Sequence, residues 1–182
     1  MSDVRAFLRR WQEATPRGRK ALAAELPVAD VQAAALADRS PVVRQACLGL
    51  LDHYASDDST ATFAAALADP IPAVREIALH GISCERCGSG VCVAEVVPAV
   101  SRLLAEDPSA ETRYKALRVT AQLADRSPEA AAAVGRAAAG DADATVRAGA
   151  AIVLDGGHLP NRRRVRRRVR SARAKRAGRA PT

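Results

Sequence analysis

The chain has 182 residues, enough for one domain with a sizeable core; alanine supplies much of its 48% hydrophobic content, and aromatic residues make up only 3%. This composition favours an all-α fold, because alanine has the highest helix propensity and no segment looks like a β-branched strand. No run approaches 18 uncharged apolar residues, which excludes a transmembrane helix, and the charged first residues exclude an ordinary secretory signal. We therefore expect a cytoplasmic protein whose four cysteines are thiols or metal ligands.

The net charge of +8 hides two segments of opposite sign. Residues 161–182 contain ten Arg and one Lys with no acid, so residues 1–160 hold 17 basic residues against all 20 acidic ones. The sequence therefore predicts three parts: N-terminal capping helices in 1–27, a helical repeat region in 28–158 and an Arg-rich C-terminal tail in 159–182. The pair Thr15-Pro16 indicates a helix start within the first part.

The repeat region contains four similar segments, each with an arginine that follows an aspartate by six residues. We call these residues the arginine–aspartate ladder: Asp38 and Arg44, Asp69 and Arg75, Asp107 and Arg113, and Asp141 and Arg147. Apolar or small residues recur one position before each arginine and three, four and seven positions after it, which marks one face of an α-helix. In the first repeat these positions hold Val43, Cys47, Leu48 and Leu51.

A second helical stretch precedes each aspartate, at residues 28–37, 60–68, 93–105 and 129–139. The aspartate and the residues after it form the turn between the two helices, often with a proline in the first turn of the second helix. One such pair cannot bury its own apolar face, whereas stacked pairs can. The sequence therefore predicts an α-solenoid of about four helix pairs.

The repeated D-x-x-P-x-V-R core resembles the HEAT repeat, in the short form named after phycobilisome lyases. The resemblance covers about residues 28–155, and it is carried by the four repeats in phase; Ala110 and Ala144 replace the proline in the last two. In that family the aspartate and arginine are mostly structural and bond the turns of adjacent repeats. The resemblance therefore implies a structural role for the arginine–aspartate ladder.

A cysteine-bearing insert at residues 80–92 lengthens the interval between the second and third repeats. Thiolate and imidazole groups at the spacing of His80, Cys84, Cys87 and Cys92 suit tetrahedral Zn²⁺. His53 lies one repeat earlier, at the position equivalent to Cys84, and could replace His80, or Cys92 could drop out of the ligand set. The alternative is that Cys84 and Cys87 are ordinary thiols and His80 lies on a solvated face. Bacterial HEAT-like proteins carry a similar H-x-x-x-C-x-x-C insert. Cys47, by contrast, aligns with small core residues and is expected in the core.

The tail is predicted to bind nucleic acid or another polyanion, mainly through phosphates, because arginine binds phosphates in bidentate fashion and no aromatic residue is present for base stacking. Val165, Val169 and Ala172 would form a thin apolar stripe if the tail is helical; otherwise its charges should keep it disordered. A solubility tail, a segment folded onto the acidic body and a membrane-surface role are the alternatives. The predicted contact residues are Arg162, Arg163, Arg164, Arg166, Arg167, Arg168, Arg170, Arg173, Lys175 and Arg176.

These features predict a non-catalytic interaction scaffold that binds a protein partner on the solenoid surface, with zinc as the expected cofactor and no catalytic residue. The alternative is an enzyme or enzyme accessory, because HEAT-like folds include DNA glycosylases, bilin lyases and di-iron hydroxylases. The hydroxylases use His-Glu dipeptides, which this sequence lacks, and the glycosylases rely on tryptophans. Here the single tryptophan, Trp11, is expected to be a packing anchor in a capping helix.

Overall fold

A computed structural model describes residues 3–54, 59–83 and 93–177 of the chain. These residues form eleven helices and no strand, which confirms the all-α prediction. They belong to two compact units, Met1–Cys92 and Val93–Thr182, so the predicted repeat region 28–158 contributes to both. None of the described helices combines the length and the apolar character needed to cross a lipid bilayer.

Unit 1 contains the first six of these helices. Thr15 starts the second of them as predicted: its hydroxyl accepts a hydrogen bond from the Gly18 amide at 3.2 Å, and Pro16 occupies the first helical position, where a missing N–H costs little. The six helices are α1 Val4–Glu13, α2 Pro16–Ala23, α3 Val28–Ala37, α4 Pro41–Tyr54, α5 Thr60–Ala66 and α6 Pro72–Ser83.

Helix pairs are stacked in unit 1. Helix α3 packs against α4, and α5 packs against α6; between the pairs, α3 contacts α5 and α4 contacts α6. The buried faces carry Leu48 and Leu51 of α4, Phe63 of α5 and Leu79 of α6. At the N-terminal end, Trp11 stacks on Phe7 and meets the ring of Tyr54 edge-on at 4.7 Å between centroids, so it is a packing anchor as expected.

Unit 2 contains the same arrangement of helix pairs followed by one further helix. Its helices are α7 Val93–Glu106, α8 Ala110–Leu123, α9 Pro128–Gly140, α10 Ala144–Leu154 and α11 Arg162–Ala177. Helix α7 packs on α8 and on α9, α9 packs on α10, α8 contacts α10, and α11 packs on α10. The chain turns after α10 at Gly156, whose φ of 74° lies in the left-handed region that favours glycine.

The predicted apolar face is largely buried in the first three repeats but only partly in the fourth. Val146 and Ala150 of α10 are fully buried, as expected, whereas Ala151 and Leu154 are exposed. The expectation for these two positions was wrong because periodicity shows which residues share a helix face and not whether another helix covers that face.

Candidate functional site

The arginine–aspartate ladder of unit 1 joins the turn of one helix pair to the turn of the next. Arg44 binds the carboxylate of Asp69 in bidentate fashion, with Nε to Oδ2 at 2.6 Å and Nη2 to Oδ1 at 2.9 Å. Its Nη1 donates to the carbonyl of Asp38 at 2.8 Å, and Asp69 Oδ1 also accepts from the amide of Ile71. Both side chains are buried, so this arrangement supplies each charge with partners in place of water.

Unit 2 repeats the same joint between its own helix pairs. Arg113 Nε and Nη2 donate to Asp141 at 2.8 and 2.9 Å, and Nη1 donates to the carbonyl of Asp107. Asp141 Oδ1 in turn accepts from the amide of Asp143. The other two ladder arginines also donate a hydrogen bond to the backbone carbonyl of the aspartate six residues earlier: Arg75 to Asp69, and Arg147 to Asp141.

Sequence reasoning missed one arginine that belongs to this set. Arg5 of α1 binds Asp38 in bidentate fashion at 2.7 and 3.1 Å, as Arg44 binds Asp69. This hydrogen bond and charge pair, together with the amide of Ser40, hold the pKa of Asp38 below its ordinary value. The sequence did hold a signal for this contact. Asp38 is the first aspartate of the series, so an arginine that pairs with it has to come from upstream of the recognised repeats.

A cluster of titratable side chains lies at the opposite end of α4. The carboxylate of Asp52 is 2% exposed, and its Oδ2 lies 3.4 Å from Nε2 of His80 on α6 and 3.6 Å from Nδ1 of His53. Its Oδ1 is buried and has no hydrogen-bond partner within the described part of the chain. His80 and His53 were predicted as alternative metal ligands, and the structure brings both of them to one carboxylate that no sequence motif marks.

The other predicted metal ligands, Cys84, Cys87 and Cys92, lie outside the described residues. Within residues 3–54, 59–83 and 93–177, no group of three or more His, Cys, Asp or Glu side chains is arranged to hold a metal ion. Cys47 is fully buried in α4, and burial raises the pKa of its thiol to about 11. This confirms that Cys47 is a core residue and separates it from the cysteines of the insert.

No protein-family model, curated protein or solved structure matches the chain.

The first turn of α11 is anchored to the rest of unit 2. Val165 is 1% exposed, and Arg162 forms ion pairs with Glu111 at 3.1 Å and with Asp143 at 3.2 Å. Just before the helix, Leu159 is buried and the carbonyl of Pro160 accepts a hydrogen bond from the hydroxyl of Tyr114 at 2.8 Å. The basic segment thus begins as a docked helix, with Arg162 held against acidic side chains.

The outer face of α11 presents the remaining arginines to solvent. Among the described side chains of this helix, six arginines are exposed: Arg163, Arg164, Arg166, Arg167, Arg168 and Arg170. The side chains of Arg173, Lys175 and Arg176 lie outside the described part. The exposed charges follow one another over about two turns of helix, which concentrates positive potential on one side of unit 2.

Proposed function

We propose that this protein is a non-catalytic interaction scaffold of HEAT-like repeats whose basic helix α11 binds nucleic acid or another polyanion. The observation that carries this proposal is the row of exposed arginines on a helix docked at its start by Val165 and Arg162. The stacked helix pairs within each unit support the scaffold assignment. For a protein partner, unit 2 offers an open groove of about 450 Å³ beside the exposed Leu154.

The polyanion proposal rests on charge and geometry rather than on base recognition. Guanidinium groups bind phosphates in bidentate fashion, and residues 161–182 contain no acid that could neutralise them. Because α11 is anchored through Val165 and Arg162, an incoming phosphate backbone meets arginines already placed on a helix, which lowers the ordering cost of binding. We expect little sequence preference, since phosphate contacts carry no base information.

The test is a matched pair of triple variants of the full-length protein. Changing Arg166, Arg167 and Arg170 to Gln removes three exposed charges from α11, and changing Arg9, Arg17 and Lys20 to Gln removes three exposed charges from unit 1. The α11 variant should have much lower affinity for a duplex DNA or RNA oligonucleotide. Its log–log salt slope should fall by roughly 2 to 3, because each phosphate that an arginine neutralises contributes about 0.7–0.9 to the slope.

The unit 1 variant should keep both the affinity and the slope. Fluorescence anisotropy at low and near-physiological salt measures both quantities, and circular dichroism checks that the variants fold. Equal losses in the two variants would show that overall charge, and not α11, drives binding. If the α11 variant kept the affinity and the salt slope of the unsubstituted protein, the polyanion proposal would be refuted and only the scaffold proposal would stand.

We further propose that the scaffold is stabilised by one Zn²⁺ bound through Cys84, Cys87 and Cys92 together with His80 or His53, in a reducing cytosol. The proximity of both histidines to one carboxylate between α4 and α6 supports this proposal. Metal analysis of protein purified without chelator should give about one zinc per chain. Cys87→Ser should lose the metal, whereas Cys47→Ala should keep it, because Cys47 is a core residue.

A further inference from the structure

The last ladder arginine, Arg147, is held in the ladder arrangement without a carboxylate partner. Its Nη1 donates to the backbone carbonyls of Asp141 and Ala142. In Arg113 the other two nitrogens of the fork, Nε and Nη2, bind a carboxylate, whereas in Arg147 they have no acceptor within the described part of the chain. A guanidinium fork that is already oriented for a carboxylate is therefore open on α10.

Arg147 lies on an outer face of α10 that is open to solvent. Ala151 and Asp155 follow it at intervals of four residues, which places all three on one side of the helix. The Asp155 amide donates to the Ala151 carbonyl at 3.0 Å, so Asp155 keeps the helical register. Ala151, Leu154 and Asp155 are exposed, although α8, α9 and α11 all contact α10. These neighbours therefore leave this face uncovered.

The same face carries an unpaired anion at its other end. Asp155 caps the C-terminus of α10, where the partial negative charge of the helix disfavours a carboxylate, and it forms no ion pair within the described residues. Eight residues, or about 12 Å along the helix axis, separate it from Arg147. One cation and one anion thus lie without partners at the two ends of one face, and Ala151 lies midway between them.

We propose that a second copy of this chain packs on the outer face of α10, with the two helices antiparallel across a two-fold axis at Ala151. Such an axis places each residue before Ala151 opposite the residue equally far after it in the other copy. Arg147, four residues before, meets Asp155 of the second copy, and the same pair forms again at the other end. Three residues from the axis, the half-exposed Ala148 meets the large, exposed Leu154.

A second copy fits this face because the face complements itself in both charge and size. The open fork requires a carboxylate, and the copy brings Asp155 at the matching distance from the axis; the small side chain of Ala151 lets the two helices approach closely. A contact centred on one helix is small, and exposed ion pairs add little affinity, so the dimer should be weak and concentration-dependent. The inference goes beyond the proposed binding of polyanions, which uses α11.

The first experiment measures the mass of the full-length protein by sedimentation equilibrium over a concentration series at near-physiological salt. We expect a monomer–dimer equilibrium. Ala151→Arg places a long cationic side chain on the axis and should abolish the dimer. Ala132→Arg, the matched control at an exposed alanine of α9, should leave the equilibrium unchanged. Circular dichroism checks that both variants fold, which we expect because both positions are exposed.

The second experiment tests the pairing of Arg147 with Asp155. Asp155→Arg turns two attractive contacts into two repulsive ones and should weaken dimerisation by more than about 10-fold. Asp125→Arg makes the same change of charge at an exposed aspartate just after α8 and should have no such effect. Arg147→Glu should also be monomeric. A 1:1 mixture of Arg147→Glu and Asp155→Arg should associate again, because each copy then supplies the charge that the other requires.

Three results overturn the proposal. A chain that stays monomeric at every concentration leaves the outer face of α10 to a different protein. A dimer that survives both Ala151→Arg and Asp155→Arg uses another surface of the molecule. A mixture of folded Arg147→Glu and Asp155→Arg proteins that fails to associate shows that these two side chains do not meet across the axis.

Discussion

Helix α4 carries two buried charged side chains eight residues apart, about 12 Å along the axis, and the structure treats them differently. Arg44, near the start, binds both oxygens of Asp69 and the carbonyl of Asp38. Asp52, near the end, faces two histidines, and one of its oxygens lacks a donor within the described residues. The comparison separates a buried charge that is fully paired from one that is paired only in part.

The largest change in stability should follow from breaking the buried ion pair between Arg44 and Asp69. Arg44→Ala leaves the buried carboxylate of Asp69 without its bidentate partner, and the free energy of unfolding of the protein should fall by about 3 kcal/mol in denaturant titrations. Arg5→Ala removes the same type of contact from a solvent-exposed arginine and should cost a small fraction of that amount. Equal effects at the two positions would contradict the importance of burial.

The same pair predicts the pH dependence of that effect. Burial raises the pKa of Asp69. The hydrogen bonds from Arg44 and from the Ile71 amide together outweigh this effect, so the pKa lies below its ordinary value. The ion pair therefore stabilises the fold above the unfolded-state pKa of about 4, and its contribution disappears as the pH falls through the lower folded-state value. The difference between Arg44→Ala and the unsubstituted protein should shrink in acid titrations below about pH 4.

A smaller effect tests the packing of α6 near His80, where close contact between side chains and backbone takes the place of an ion pair. A Cβ at Gly81, next to His80, would lie 2.5 Å from the ring of Phe63, which is buried. Gly81→Ala should therefore destabilise the protein by about 1–2 kcal/mol, the overpacking strain exceeding the gain in helix propensity. A Cβ at Gly49 in α4 would meet nothing within 4 Å, so Gly49→Ala should stabilise by up to about 1 kcal/mol in the same unfolding assay.

The smallest effect sharpens the contrast at Asp52 itself. Without metal, Asp52→Asn should change the free energy of unfolding by less than about 0.5 kcal/mol or increase it, because the substitution removes an incompletely paired buried charge. Unfolding in the presence of a chelator measures this value, with Asp69→Asn as the destabilised reference. A destabilisation comparable to that of Asp69→Asn would place Asp52 among the charges that stabilise the fold.

Much of the helical layout could be predicted because the repeats mark their own boundaries. The stretch 28–37 coincides with α3, and the aspartate and proline signals locate the turns, since both act through local backbone chemistry. The long-range features could not be predicted in this way. Burial of Asp52 depends on α6 packing over α4, and the exposure of Leu154 depends on what covers α10, neither of which is encoded in a local pattern.

The tail shows the same limit of sequence reasoning. Its charge was evident, but docking of its first turn requires Glu111 and Asp143, which lie far from Arg162 in sequence and near it only in the fold. The apolar stripe predicted from Val165 and Val169 has its first member fully buried, whereas Val169 is half-buried. Composition identified a basic segment, and tertiary contacts determine which of its arginines are free of acidic partners in the described helix.

The local nature of the Arg44–Asp69 joint has an evolutionary consequence. The joint requires an arginine on one helix pair and, on the next, an aspartate that also accepts an amide of its own turn. A tandem duplication of the 31-residue block from Arg44 to Val74 would copy both halves at once and recreate a complete joint at the new boundary. The chain can therefore lengthen by whole blocks without any compensating substitution in its turns, which is a route by which repeat arrays diversify in length.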